Sequence, residues 1–178
     1  KSTFSDKYFS PREFVVIGYP YREVLKYIKK PAMRIKDSLK ELGASLIIGY
    51  FDETIRPGKY ALITREHHLH EISILARLVL SHTKIAVIIK SQFTRHSTLQ
   101  LYKSDKVIQE ALETGRLMDL CHGDDVRNNV YPTEVARAAD ICIGNAVGAT
   151  ASLETALCGT RSVMVNPHKV EAVWTHFL

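Results

Sequence analysis

The sequence predicts an α/β fold in which a doubly wound, mostly parallel sheet is covered by helices on both faces. Short apolar runs alternate with stretches of helical periodicity, and the connections between them are short. Residues 85–89 are apolar at every position, which is typical of a parallel strand buried on both faces. Right-handed crossovers between such strands produce the doubly wound arrangement.

The first half of the chain contains three predicted strands and two predicted helices. Glycine and proline end the first strand, because proline cannot donate to a strand ladder. The first helix carries Ile35, Leu39 and Leu42 on one face and ends at Gly43. In order, the elements are a strand at 14–17, the helix that ends at Gly43, a strand at 45–51, a helix at 66–82 and the strand at 85–89.

The second half continues the alternation, with Gly115 and Gly159 placed where helices end and Pro132 placed where one begins. No internal repeat or low-complexity tract interrupts it. In order, the predicted elements are a loop at 90–104, a helix at 105–112, a strand at 117–120, a helix at 132–139, a strand at 140–144, a helix at 151–158, a strand at 162–165 and a terminal helix at 170–178.

Length and composition indicate one globular core. The chain has 178 residues, of which 46% are apolar, and no apolar run approaches the roughly 18 residues that span a bilayer. The net charge of +5 comes from scattered Lys and Arg without an RNA-binding motif, so we expect no nucleic acid partner. The same positive charge would suit anionic phosphates or a membrane surface equally well. Three cysteines without paired spacing indicate a reducing, cytoplasmic compartment.

The segment from Gly144 to Ser152 is the strongest candidate for a binding site. It leaves a buried strand and opens a helix, so it offers small side chains and unpaired backbone N–H groups to a phosphate. Glu154 follows two residues later and could accept hydrogen bonds from a sugar hydroxyl. Without a ligand, Ser152 would cap the helix and Glu154 would complement its dipole. The candidate binding residues are Lys90, Asn145, Gly148, Thr150, Ala151, Ser152 and Glu154.

Two strings around this segment resemble the donor site of glycosyltransferases of the GT-B architecture, which are built from two Rossmann-like domains. The first string covers residues 138–144, and the second covers 152–165 and contains Glu154, Leu157 and Gly159. The resemblance implies that Glu154 binds the ribose of a nucleotide-sugar and that residues 150–152 receive its phosphates. Arg161 stands where that family usually has proline, and Thr155 replaces an alanine.

Two further segments are similar to proteins of the same kind. Residues 12–22 resemble the Gly-x-Pro linker between the two domains, so residues 1–31 would be the tail of an N-terminal domain and residues 32–178 the Rossmann-like domain. Residues 45–53 and 85–90 are similar to surface-carbohydrate proteins, with Ser91 in place of a proline. Lys90 could neutralise a phosphate there, or it could be a solvated lysine at the end of a strand.

Other residue groups carry weaker signals. Residues 67, 68 and 70 are histidines, but adjacent histidines on a helix point apart and no second cluster has matching spacing, so we expect no metal. Asp124 and Asp125 could hold Mg²⁺, but an isolated acidic pair in a loop is usually solvated. Phosphate-binding and dinucleotide-binding glycine motifs are missing from the sequence. We therefore expect no cofactor, and we expect the nucleotide-sugar to be the substrate.

The expected activity is transfer of a sugar from a nucleotide-sugar to a polysaccharide or glycoconjugate acceptor, with any catalytic base supplied by the N-terminal domain. Its partners would be the donor, a carbohydrate or lipid-linked acceptor, and that domain. The expected location is the cytoplasm, with peripheral contact at the inner face of the membrane as an option. The alternatives are an epimerase or glycerophosphotransferase of the same architecture, and a non-catalytic nucleotide-binding domain.

Overall fold

The computed structural model describes residue 25 and residues 27–52, 64–91, 100–120, 130–145 and 150–165. It confirms an α/β, Rossmann-like fold, with five parallel strands flanked by helices. In chain order the elements are α1 (Lys29–Glu41), β1 (Leu46–Phe51), α2 (Arg65–Ser81), β2 (Ile85–Lys90), α3 (Lys106–Glu113), β3 (Leu117–Asp119), α4 (Pro132–Ala138), β4 (Ile141–Asn145), α5 (Thr150–Leu157) and β5 (Arg161–Val165).

Most of the predicted elements are present with nearly the predicted ends. Two parts of the loop expected over residues 90–104 are regular structure, because Lys90 belongs to β2 and residues 100–102 are helical. The first strand at 14–17, the proposed linker, Asp124, Asp125 and the terminal helix lie outside the described residues. The predicted domain boundary after residue 31 falls within the first turn of α1. No helix in the described ranges is both long and apolar enough to cross a bilayer.

The strand order is β3-β2-β1-β4-β5. The chain therefore builds the sheet outward from β1 to β3, returns across it, and adds β4 and β5 on the other side of β1. Phe51 at the end of β1 lies opposite Lys90 of β2 and Gly144 of β4. The carboxyl ends of these three strands are thus level with one another.

Two apolar cores cover the two faces of the sheet. On one face α2 and α3 pack against β1, β2 and β3, with Ile72, Val79 and Ile108 fully buried. On the other face α1 and α4 pack against β1, β2 and β4, and Ala151 and Cys158 bring α5 to the same side. At Gly49 the backbone of β1 approaches α4 so closely that a Cβ would lie 3.0 Å from a Val135 methyl group.

Polar side chains fix the ends of the helices. Thr64 accepts a hydrogen bond from the His67 N–H at the start of α2, and Asp105 caps α3 in the same way. Arg116 caps the C-terminal end of α2, where its Nη1 donates to the carbonyl oxygens of Val79, His82 and Ile85 at 2.8 to 3.0 Å. The positive φ values of Gly43, Gly115 and Gly159 agree with their predicted places after α1, α3 and α5.

Asp140, the acidic residue of the first glycosyltransferase-like string, lies before β4 at the amino edge of the sheet. Its carboxylate accepts hydrogen bonds from the Ile47 N–H at 2.9 Å and from Lys36 Nζ at 2.8 Å. Partial burial alone would raise the pKa of Asp140, but these donors hold it below its ordinary value. Asp140 therefore joins α1, β1 and β4 at the edge opposite the predicted binding site.

Candidate functional site

The order of the strands creates a topological switch point at the carboxyl ends of β1 and β4. After β1 the chain continues to α2 on one face of the sheet, and after β4 it continues to α5 on the other. Doubly wound folds bind their ligands at such a switch point, because the two connections diverge there. Of the predicted binding segment, residues 144–145 end β4 beside this switch point and residues 150–152 open the helix that follows.

The first turn of α5 supplies the backbone donors that the sequence predicted. The helix begins at Thr150, five residues after the end of β4, and runs for eight residues. The N–H groups of Thr150, Ala151 and Ser152 have no acceptor within the helix, because the first four amides of any α-helix lack one. The helix dipole adds partial positive charge at the same end. This end can therefore bind an anion.

Ser152 lies against the backbone of Gly144 and is 7% exposed. A Cβ built on Gly144 would approach Ser152 Oγ to 2.4 Å, so a side chain at this position of β4 would require the Ser152 hydroxyl to move. The Ser152 hydroxyl is buried and has no hydrogen-bond partner among the described residues. A ligand would therefore reach the Ser152 amide rather than its hydroxyl.

A surface cleft of about 560 Å³ lies between the first turn of α5 and β5. It is lined by Thr150, Ser152, Leu153, Ser162 and Met164. The sequence analysis did not identify Leu153, Ser162 or Met164. The alternation of β5 was the available signal, because Ser162 and Met164 are two residues apart and so point to the same face of the sheet.

Glu154 is half-buried in the second turn of α5 and does not line this cleft. It lies one turn before Cys158, whose Sγ is 3.8 Å from the Thr133 carbonyl oxygen of α4. Burial raises the pKa of Cys158, and the Glu154 carboxylate adds to the increase while Arg137 of α4 opposes it. Glu154 is therefore on the side of α5 that faces α4, and its predicted contact with a ribose stays a prediction.

Two of the other predicted residues, Lys90 and Asn145, lie at the ends of different strands. Lys90 ends β2 and is 5% exposed, and its Nζ donates to the Ser91 carbonyl oxygen at 2.8 Å. Because β1 separates β2 from β4, Lys90 is not beside the cleft. Asn145 is the last residue of β4 and is 4% exposed. Gly148 lies outside the described residues.

A buried polar group at the same sheet edge was missed by the sequence analysis. Asp52 follows β1 and accepts a hydrogen bond from Ser91 Oγ at 3.0 Å, and His68 Nδ1 lies 3.9 Å from the same carboxylate oxygen. The His68 ring stacks on Tyr102, whose hydroxyl donates to Asp119 at 2.7 Å. The signal was positional, since Asp52 and Ser91 each come directly after a buried strand.

The histidines of α2 point apart, as predicted. His67 and His70 are exposed, whereas His68 is buried. Burial lowers the pKa of His68 to about 4, so its imidazole is neutral near pH 7. Within the described ranges, no group of three or more His, Cys, Asp or Glu side chains could hold a metal ion.

Comparison of the chain with models of known protein families finds no match, and comparison with curated proteins finds none either. The structure defines a class: an α/β domain with a Rossmann-like sheet, a switch point between β1 and β4, and a helix N-terminus beside that point.

Proposed function

We propose that this chain is the donor-binding half of a GT-B-type glycosyltransferase that transfers a sugar from a nucleotide-sugar to a polysaccharide or glycoconjugate acceptor. The observation that carries the proposal is the start of α5 beside the switch point, with Gly144 and Ser152 in close contact. The small residue at 144 lets the helix start lie close to the sheet. The resemblance of residues 138–144 and 152–165 to glycosyltransferase donor sites supports the same assignment.

The chemistry assigned to this half is binding and stabilisation of the leaving diphosphate. The first-turn amides of α5, which have no acceptor within the helix, would donate to phosphate oxygens. The helix dipole would stabilise the negative charge that develops when the glycosidic bond to phosphate breaks. Such stabilisation comes from preorganised donors that do not have to reorient during the reaction. The neighbouring cleft of about 560 Å³ is of the size that small-molecule sites usually have.

Titration calorimetry with UDP-, GDP-, CDP- and CMP-linked sugars tests the binding step. We expect one nucleotide class to bind the 178-residue chain and Thr150→Pro to weaken it by about tenfold, because proline removes one donor at a first-turn position that tolerates it. Glu154→Ala is expected to weaken binding by a similar factor if its carboxylate binds the ribose. Glu110→Ala, an exposed glutamate on α3, is the matched control and should bind like the wild type.

The proposal is wrong if no nucleotide binds, or if Thr150→Pro binds as tightly as the wild type while keeping its fold. An unchanged affinity for Glu154→Ala would remove only the ribose contact. Product analysis with the full-length protein distinguishes transfer to an acceptor from epimerisation of the donor and from glycerophosphate transfer.

A further inference from the structure

The cleft between the first turn of α5 and β5 has a large apolar side chain on each of its two walls. Leu153 of α5 and Met164 of β5 line it, and each residue is 56% exposed. The described residues that line the cleft are all uncharged. Apolar side chains that stay exposed together are typical of a binding surface, because their contact with water is unfavourable. The cleft therefore favours a ligand group that is itself largely apolar.

Two serines that line this cleft have hydroxyl groups without a hydrogen-bond partner among the described residues. They are Ser152 of α5 and Ser162 of β5, and both hydroxyl oxygens are buried. Buried polar groups in native proteins nearly always have a partner. The Ser152 hydroxyl is turned toward Gly144, whereas a change of the χ1 rotamer would bring the Ser162 hydroxyl into the cleft. Ser162 can therefore supply one group that donates or accepts.

The position of the cleft joins this apolar surface to a site for an anion. Thr150 lines the cleft and also opens α5, whose first-turn amides and dipole favour a phosphate. A nucleoside diphosphate has two matching parts, an anionic diphosphate and a planar base with apolar faces. A hydrocarbon chain on a diphosphate would match the charge and the apolar walls, but it would leave the Ser162 hydroxyl without a partner. The nucleoside is therefore the better match.

Glu154 lies on a different side of α5 from the cleft. Successive residues of an α-helix point in directions about 100° apart. Leu153 lines the cleft, whereas Glu154 does not and interacts with Cys158 on the side of α4. A nucleoside held between Leu153 and Met164 would therefore be turned away from the Glu154 carboxylate.

We propose that the nucleoside of the donor lies in the cleft between α5 and β5, with its base packed against Leu153 and Met164 and hydrogen-bonded to Ser162 Oγ. This inference rests on the proposed function and deepens it, since the diphosphate stays at the start of α5 and the nucleoside is assigned to the β5 side of the helix. The Met164 sulfur suits the edge of an aromatic base. In this arrangement Glu154 does not contact the ribose.

The test compares ligands with and without the nucleoside. Calorimetry measures the affinities of UDP, GDP, CDP and inorganic diphosphate for the wild type, Met164→Ala and Leu153→Ala. We expect a nucleoside diphosphate to bind the wild type more tightly than inorganic diphosphate does. Each substitution should weaken binding of that nucleoside diphosphate by about fivefold, as for loss of apolar and sulfur–aromatic contacts, and change that of inorganic diphosphate by less than about twofold.

Met33→Ala is the matched control, because Met33 is also an exposed methionine but lies on α1. It should bind both kinds of ligand like the wild type. Ser162→Ala should weaken the nucleoside diphosphate by about threefold, as for loss of one hydrogen bond. Thermal unfolding checks that each variant is folded. Leu153→Ala decides the question if Met164→Ala does not fold, because alanine is the best helix former at this exposed position of α5.

The inference is overturned if the two cleft variants, Met164→Ala and Leu153→Ala, leave the ratio of nucleoside diphosphate to inorganic diphosphate affinity unchanged. It is also overturned if Glu154→Ala lowers that ratio and the cleft variants do not, since the nucleoside would then lie on the α4 side. A larger gain over inorganic diphosphate for geranyl diphosphate than for any nucleoside diphosphate would assign the cleft to a hydrocarbon chain instead. The first two outcomes leave the proposed function intact, whereas failure of every nucleotide to bind the wild type would refute both.

Discussion

At the scale of single residues, burial decides the ionisation of His68. The side chain is 1% exposed, and desolvation lowers its pKa to about 4 although the Asp52 carboxylate is 3.9 Å away. An unfolded chain binds a proton at this histidine near its ordinary pKa of 6.5. Between these two values the unfolded state binds more protons than the folded state, so stability must depend on pH.

We expect the free energy of unfolding to be highest above pH 6.5 and to fall as the pH is lowered toward 4. His68 contributes at most about 1.4 kcal/mol per pH unit to the slope of the free energy of unfolding against pH. About 3 kcal/mol is therefore lost between the two pKa values of 6.5 and about 4. Urea denaturation at several pH values measures it. His68→Phe, which keeps a ring against Tyr102, should flatten the curve, and His67→Phe at the exposed neighbouring position should not. Equal slopes in all three proteins would show that His68 does not control acid stability.

At the scale of elements, the contact between β4 and α5 determines how the candidate site is built. Gly144 and Ser152 lie in the layer between the sheet and the helix, and the Ser152 hydroxyl is buried without a partner among the described residues. An unpaired buried hydroxyl costs stability. The two positions must be coupled, because a side chain at one meets the side chain at the other.

A double-mutant cycle on these positions tests the coupling. We expect Ser152→Ala to raise the free energy of unfolding by about 1 kcal/mol, since it removes a buried hydroxyl that no described residue pairs with. Gly144→Ala should lower it by about 1 to 3 kcal/mol through overpacking. The added Cβ would lie 3.8 Å from Ser152 Cβ, an ordinary contact, so the double variant should recover most of the loss. Additive effects in denaturant unfolding would contradict this packing.

At the scale of the whole molecule, one sheet separates two apolar cores, and its central strands contribute to both. Ile88 and Ile89 of β2 are each 0% exposed, but Ile88 packs in the core of α1 and α4 and Ile89 in that of α2 and α3. Both cores pack on the same strands, so loss of packing in one core would expose the strands that also support the other. We therefore expect the domain to unfold as one unit.

Ile88→Ala and Ile89→Ala test whether the two cores are cooperative. Each substitution should lower the free energy of unfolding by about 2 to 5 kcal/mol, the usual range for such cavities. Each variant should still unfold in one transition that coincides by far-UV and near-UV circular dichroism. Two separate transitions, or an effect confined to one probe, would show that the cores unfold independently.

Much of the fold could be predicted because its signals are local. Continuous apolar runs predicted β1, β2 and β4, and Gly43, Gly115 and Gly159 marked the ends of three helices through their tolerance of positive φ. The site was predicted in part. Thr150 to Ser152 do open a helix beside the switch point, but which side chains approach the cleft depends on how α5 is rotated against the sheet.

The sequence by itself determined the order and kind of the elements, and with them the place of the candidate site after β4, because apolar periodicity and glycine positions act within a few residues along the chain. Only the tertiary structure decided that Ser152 is turned toward Gly144, that Glu154 faces α4, and that Asp52, His68 and Ser91 come together. These contacts join residues on different elements, and they follow from strand register and helix rotation, which no local pattern encodes.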